Sequence, residues 1–322
     1  MRMKVILTGA SGFVGGAVLE ALGRMANMQT VVPLRSPLRS MPTGVLSYPI
    51  ADLTDDQTAP LKAHAPDVVI HCASRVHIMA DTADDPLTEF RRVNVDGTLA
   101  LARAASASGA RRFVFVSSIK VNGEQTRPGC AYRADDIPQP VDPYGVSKHE
   151  AEQGLLALGA QTGMEIVIIR PVLVYGPGVK ANFRNMMRWL DRGVPLPFGA
   201  IHNRRSLVAL ENLVDLVLTC IDHPAAGNQI FLVSDDEDLS TTELLTRMAH
   251  ALGRPARLLP VPSWMLSGAA RALGKGALSQ RLCGSLQVDI SKTRDLLGWR
   301  PPVQVDTALL AAAKYYQEDD NQ

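Results

Sequence analysis

Short, nearly all-apolar runs separated by longer helical stretches recur from Val5 to Pro171, and this alternation limits the fold more tightly than anything else in the chain. KVILT, TVVPLR, VLSYPI, DVVIHCA, RRFVFVSS and MEIVIIRP have strand length and are rich in β-branched residues. Between them lie GFVGGAVLEALGRM, the long DPLTEFRRVNVDGTLALARAASASG that stops at Gly109, and a helix opening at DPYGVSKHEAE, all of helical pattern. Strands that lack a polar face need cover on both sides, so the pattern predicts an α/β fold with a parallel, doubly wound sheet of Rossmann type.

Beyond Pro171 the character changes. Prolines and glycines cluster in YGPG, GVPLPFG and PAAG, and helical readings at ALENLVDLVLTCI, STTELLTRMAHAL and SKTRDLLG are separated by irregular stretches. We expect residues 1–170 to form a dinucleotide-binding domain, with 206–233 returning to it. Residues 171–205 and 234–322 are expected to form a smaller, mixed C-terminal lobe that takes the substrate. The segment 262–284, PSWMLSGAARALGKGALSQRLCG, reads as apolar and helix-like.

A formal net charge of +1, from 33 basic and 32 acidic residues without a long run of either sign, offers no surface for a nucleic acid. The four cysteines, Cys72, Cys130, Cys220 and Cys283, stand far apart with no CxxC pair. They read as reduced, mostly buried or inert thiols, and no metal constellation is visible. The apolar run Val5 to Leu7 is too short for a signal peptide's hydrophobic stretch, and no segment has the length to cross a bilayer. A cytoplasmic protein is expected.

Gly9, Gly12 and Gly15 in TGASGFVG stand between the first strand and the first helix. Glycines there let backbone N–H groups approach a pyrophosphate at the helix N-terminus, where the dipole favours an anion. Phe13 and Val14 complete that loop. Twenty residues beyond Gly15, where an acidic residue commonly grips the ribose of NAD, the chain has Arg35. An arginine pairs with a 2′-phosphate, so NADP(H) is favoured, with NAD possible.

Tyr144 and Lys148 lie four apart, on one helical face. A nearby ammonium stabilises a phenolate, which would turn a tyrosine into a usable acid and base near neutral pH. Ser118, at the carboxyl edge of the sheet after RRFVFVSS, can hydrogen-bond the same substrate oxygen.

TGASGFVG, Asp52-Leu53, HCAS, NVDGT, SSIKVNG, YGVSK, VLVYGPG, NRRSLVALENLVD and LGWRP arrive in an order that resembles the extended short-chain dehydrogenase/reductase family, in its nucleotide-sugar epimerase, dehydratase and reductase branch. By that resemblance Asp52 and Leu53 flank the adenine and Ala73 and Pro171 lie along the cofactor channel. Ser118, Tyr144 and Lys148 are then the catalytic trio, Lys148 also holding the nicotinamide ribose, and Asn94 supports them. Asn182 and Arg205 fall where the family contacts a nucleotide-sugar diphosphate, and Lys120 occupies a position that could reach substrate. A homodimer is also implied.

Departures from the family pattern matter. Leu173 stands where many relatives have asparagine, and SSIKVNGE offers Glu124 without a neighbouring acid, which makes dehydration the least favoured chemistry. His71 and His149 are not counted as catalytic. Arg35 and Leu173 tilt the reading towards an NADPH-dependent reductase of a UDP-linked 4-keto-6-deoxy-hexosamine for polysaccharide synthesis. The alternatives are a UDP-sugar 4-epimerase with tightly bound NAD, and a non-catalytic NADP-binding scaffold or redox sensor.

Overall fold

The computed structural model describes residues 2–76, 85–127, 129–272, 280 and 282–319. Its centre is a seven-stranded sheet in which every pairing is parallel, in the order β3-β2-β1-β4-β5-β6-β9. The strands are β1 (Met3–Thr8), β2 (Met28–Leu34), β3 (Leu46–Pro49), β4 (Val68–His71), β5 (Arg112–Val116), β6 (Glu165–Pro171) and β9 (Gln229–Val233). Every residue of β4 is buried, as are Val5 to Thr8 of β1, because helices cover both faces and leave no side for polar residues. Chain order reverses between β1 and β4, which opens a crevice at their carboxyl ends.

The helices that position the site are α1 (Phe13–Gly23), α2 (Thr58–His64), α3 (Pro86–Arg91), α4 (Thr98–Ala107) and α5 (Pro143–Thr162). The long helix expected before Gly109 is present but interrupted: a π-helical turn, Arg92–Gly97, joins α3 to α4. Such turns re-aim side chains and are frequent at functional sites. RRFVFVSS ends as a strand at Val116, and Ser118 then N-caps the short 3₁₀ turn Ile119–Val121.

A second sheet, β10-β8-β7, holds β7 (Leu173–Tyr175), β8 (Arg205–Ala209) and β10 (Asp238–Leu239). Its own apolar cluster joins Tyr175 of β7 to Phe183 and Met187 of α6 (Ala181–Asp191), Leu245 of α8 (Thr241–Ala251) and Leu309 of the helix Val305–Asp319. Of the stretch 206–233, β9 extends the large sheet and α7 (Leu210–Asp222) packs on α1, whereas 205–209 pair within the small sheet. Pairing decides this, because β8 finds partners in β7 and β10. In 262–284 a helix spans Ser263–Ala272, and residues 273–279 and 281 lie outside the described residues.

Among the described residues, no helix is long and apolar enough to cross a membrane, and no group of three or more His, Cys, Asp or Glu is placed to hold a metal ion. Burial pushes the thiols of Cys72 and Cys220 up to about 12, which keeps them protonated. Cys130 is exposed in the loop before Tyr132.

Candidate active site

A cleft of about 800 Å³ opens at the crevice between β1 and β4. Its floor is the turn Thr8 to Gly12, one wall is the end of β2 with Arg35, and the other runs from Cys72 to Val76. Gly9 has φ +76°, and a Cβ there would stand 2.6 Å from the Ala73 backbone nitrogen. A Cβ on Gly15 would lie 2.1 Å from the Gly9 carbonyl oxygen, so α1 seats against the turn only without one. These glycines thus expose the N-terminus of α1 to the cleft. Asp52, Leu53 and Ala73 also line it, whereas Phe13, Val14, Gly15 and Pro171 do not: Phe13 and Val14 are half-buried, and Gly15 and Pro171 are buried.

Ser74 lines the cleft, and its side chain hydrogen-bonds that of Tyr144 in the first turn of α5. Asp142 caps that helix, its Oδ1 accepting from the Gly145 N–H at 2.7 Å, and Pro143 at the first helical position fixes the entry. Burial pushes the Tyr144 phenol up to about 12, the Ser74 hydroxyl pulls it down, the Asp142 carboxylate raises it, and the Ser118 hydroxyl lowers it. Phe90 of α3 lies edge-on to the ring at 6.0 Å.

Lys148 is buried on the same helix, and its Nζ donates to the Val116 carbonyl at 2.8 Å and sits 4.1 Å from the centre of the Phe115 ring. Burial pushes it down to about 7 against the pull of Glu152. The expected tuning of the phenol by this lysine is therefore corrected. The two residues share a helix, but the ammonium is directed to the end of β5, and what acts on the Tyr144 phenol is burial first, then Ser74, Asp142 and Ser118.

Three separate hydrogen-bonded polar groups accompany these residues. Asn94, buried in the π turn, accepts from the Arg75 N–H at 2.8 Å and from the Ser74 hydroxyl at 3.1 Å, and donates to the Ser147 hydroxyl at 3.0 Å. Glu152 pairs with Arg170 at 2.5 Å and accepts from the Ser117 hydroxyl at 2.5 Å, while Arg170 also donates to Asn122 at 3.0 Å. His71 bonds the hydroxyls of Thr8 and Thr98 at 2.6 and 2.9 Å, and burial pushes it down to about 3, so it is a neutral link between strand and helix.

Comparison with known proteins places this geometry. Residues 5–234 match the NAD dependent epimerase/dehydratase family. The chain belongs to this family. Over its full length it is 45% identical to a UDP-glucose 4-epimerase of Vibrio cholerae, covering 98% of that protein. Two solved structures share the fold. A UDP-glucuronic acid 4-epimerase from Bacillus cereus in complex with NAD has a TM-score of 0.79 at 20% identity, covering 98% of this chain and 99% of that one. RMD from Pseudomonas aeruginosa complexed with NADPH has a TM-score of 0.75 at 22% identity, covering 98% and 100%.

The protein is thus an NAD(P)-dependent nucleotide-sugar epimerase or reductase of the extended short-chain dehydrogenase/reductase family. The cleft fits the family's dinucleotide: the places where a side chain would obstruct the turn hold glycine, and a helix N-terminus faces the space. Arg35 is exposed on the rim, and Asp52 is held by Thr54 and by Arg92 of the π turn at 3.4 Å. Lys120 is bridged between Asp142 and Glu124. Asn182 is exposed in the first turn of α6, and Arg205, half-buried at the start of β8, donates to the Gly284 carbonyl at 3.0 Å. Leu173 is half exposed on β7.

Sequence reasoning missed Ser74, Asp142 and the Glu152–Arg170 pair. Two of these had legible signals, since Ser74 ends the quoted HCAS and Asp142 is a capping residue before a proline, whereas nothing local marks Glu152 as the partner of Arg170.

Proposed function

We propose that the protein is a UDP-sugar 4-epimerase that retains NAD, acting on UDP-glucose or its N-acetyl form. The 45% identity to the Vibrio cholerae UDP-glucose 4-epimerase, spread over all 322 residues, is the observation that carries this reading. It favours the epimerase over the reductase expected first from sequence.

In this reading Gly9, Gly12 and the N-terminus of α1 hold the pyrophosphate, while Asp52, Leu53 and Ala73 face the adenosine half. When bound, the nicotinamide supplies the hydride acceptor and donor for carbon 4 of the sugar. Tyr144 takes the proton from the carbon-4 hydroxyl and returns it after the sugar has turned, and Ser118 holds that oxygen. Lys148 holds the nicotinamide ribose, and Asn94 keeps Ser74 and the helix carrying Tyr144 in place. Residues 171–205 and 234–322 form the substrate lobe, in which Asn182 and Arg205 meet the diphosphate. Assembly as a homodimer and a cytoplasmic location complete the proposal.

One observation favours a second reading, the NADPH-dependent reductase of a 4-keto sugar. Arg35 stands on the rim of the cleft where a 2′-phosphate would be read. Incubating the purified protein with UDP-glucose separates the two. UDP-galactose forming with no added nucleotide supports the epimerase, whereas inertness until NADPH and a 4-keto-6-deoxy sugar are supplied overturns it.

A further inference from the structure

Lys120 stands at the junction of the two segments that carry Ser118 and Tyr144. Its backbone N–H donates to the Ser118 hydroxyl oxygen at 3.2 Å, inside the 3₁₀ turn. Its backbone oxygen lies where the turn meets α5: a Cβ on Gly145 would come within 2.8 Å of it. Its ammonium bridges Asp142 and Glu124, the latter at 3.2 Å. The Asp142 carboxylate works in two directions, Oδ2 on Lys120 and Oδ1 on the Gly145 N–H. All three charged side chains are partly shielded, with 20 to 29% of their surface exposed.

We propose that Lys120 is a positioning residue of the active site: its ammonium clasps Asp142 and Glu124, holding the Ser118 turn against the first turn of α5 and neutralising the carboxylate that lies two residues before Tyr144. This rests on the proposed role of Tyr144 and adds the element that sets the pH range in which it works.

The neighbours of the phenol limit what else could set that range. At the N-cap of α5 Asp142 raises the phenol, and within the helix Lys148 is turned to the Val116 carbonyl. The end of β4 contributes the Ser74 hydroxyl and Arg75, whose guanidinium lies 5.7 Å from the Phe90 ring centre. The α3 side contributes Phe90, with the Arg91–Glu150 ion pair at the surface. The 3₁₀ turn contributes Ser118 and Lys120, with Glu124 behind them. Asp142 is thus the carboxylate acting on the phenol, and Lys120 is its counter-ion. Without that cation the phenol would hold its proton more tightly.

The test is the pH dependence of kcat, at saturating substrate and any required nucleotide, for the wild type, Lys120→Met, Lys120→Arg, Asp142→Asn and Tyr144→Phe. An enzyme that needs the phenolate gains activity as pH rises. Lys120→Met should move that rising limb up by roughly half a unit or more, and Lys120→Arg should restore it. Asp142→Asn, which keeps a capping side chain, should move it down. Should Lys120→Met fail to fold, the Asp142→Asn shift alone carries the decision. Limbs that superimpose across these variants, with only a uniform loss of rate, overturn the proposal. A Tyr144→Phe variant as active as the wild type overturns instead the reading of the site on which it rests.

Discussion

At the residue scale, the proposed chemistry turns on two side chains, Tyr144 and Lys148, whose protonation is set by different surroundings. Tyr144 is pushed up to about 12 chiefly by burial and Lys148 down to about 7 by the same cause, so each is biased towards its neutral form. Tyr144→Phe keeps the ring against Phe90 and deletes only the hydroxyl. Turnover should fall by about 10²-fold or more with little change in Tm, and an undiminished rate in a steady-state assay would remove the tyrosine from the chemistry. Lys148 has the opposite balance. The unfolded chain holds its lysine proton up to the ordinary lysine value, whereas the folded chain releases it near 7, so stability rises with pH through that window and the cost of charging is greatest at and below about 7. Lys148→Met should therefore lose activity while matching or exceeding the wild-type Tm at pH 6. A large fall in Tm there would show that the ammonium supports the fold. The four-residue spacing was legible in the sequence, but the direction of the lysine was not, since it depends on where β5 ends and which carbonyl is left free.

At the element scale, the turn after β1 and the buried pair joining α5 to β6 carry the site. A methyl on Gly15 would meet the Gly9 carbonyl at 2.1 Å, and only a shift of α1 could relieve it. Gly15→Ala should weaken dinucleotide binding by tenfold or more and lower the Tm, both readable by titration and melting of the same sample. Unchanged affinity would mean that the turn is not the cradle. The Glu152–Arg170 pair joins α5 to β6, with both side chains 2% exposed. Glu152→Ala leaves the guanidinium buried and unpaired, a loss of about 3–5 kcal/mol by denaturant titration. The glycines and the strand-helix alternation were legible because each follows from a local rule. The buried pair was not, because its partners are 18 residues apart and meet only through the packing of α5 on β6. The π turn was hidden for a similar reason, since the helical periodicity of α3 and α4 runs through it.

At the scale of the molecule, the large parallel sheet followed from its apolar strands, whereas the small sheet did not. β7, β8 and β10 are three, five and two residues long, and such segments become strands only by finding one another. Acid should loosen the large sheet through His71. Its stability contribution is intact above the ordinary histidine value and is lost as pH falls towards about 3, because only the unfolded chain binds the proton in that window. His71→Gln should flatten the fall in Tm on acidification, and parallel curves for the two proteins would contradict this. The central claim is that the site would hold one retained dinucleotide, which would supply both the hydride acceptor and the donor for carbon 4 while Tyr144 moves the proton. The most direct measurement follows UDP-glucose deuterated at carbon 4 with the purified protein and no added nucleotide. The account predicts UDP-galactose carrying its deuterium at carbon 4, and label lost to an external pool, or no turnover until NADPH is added, would contradict it.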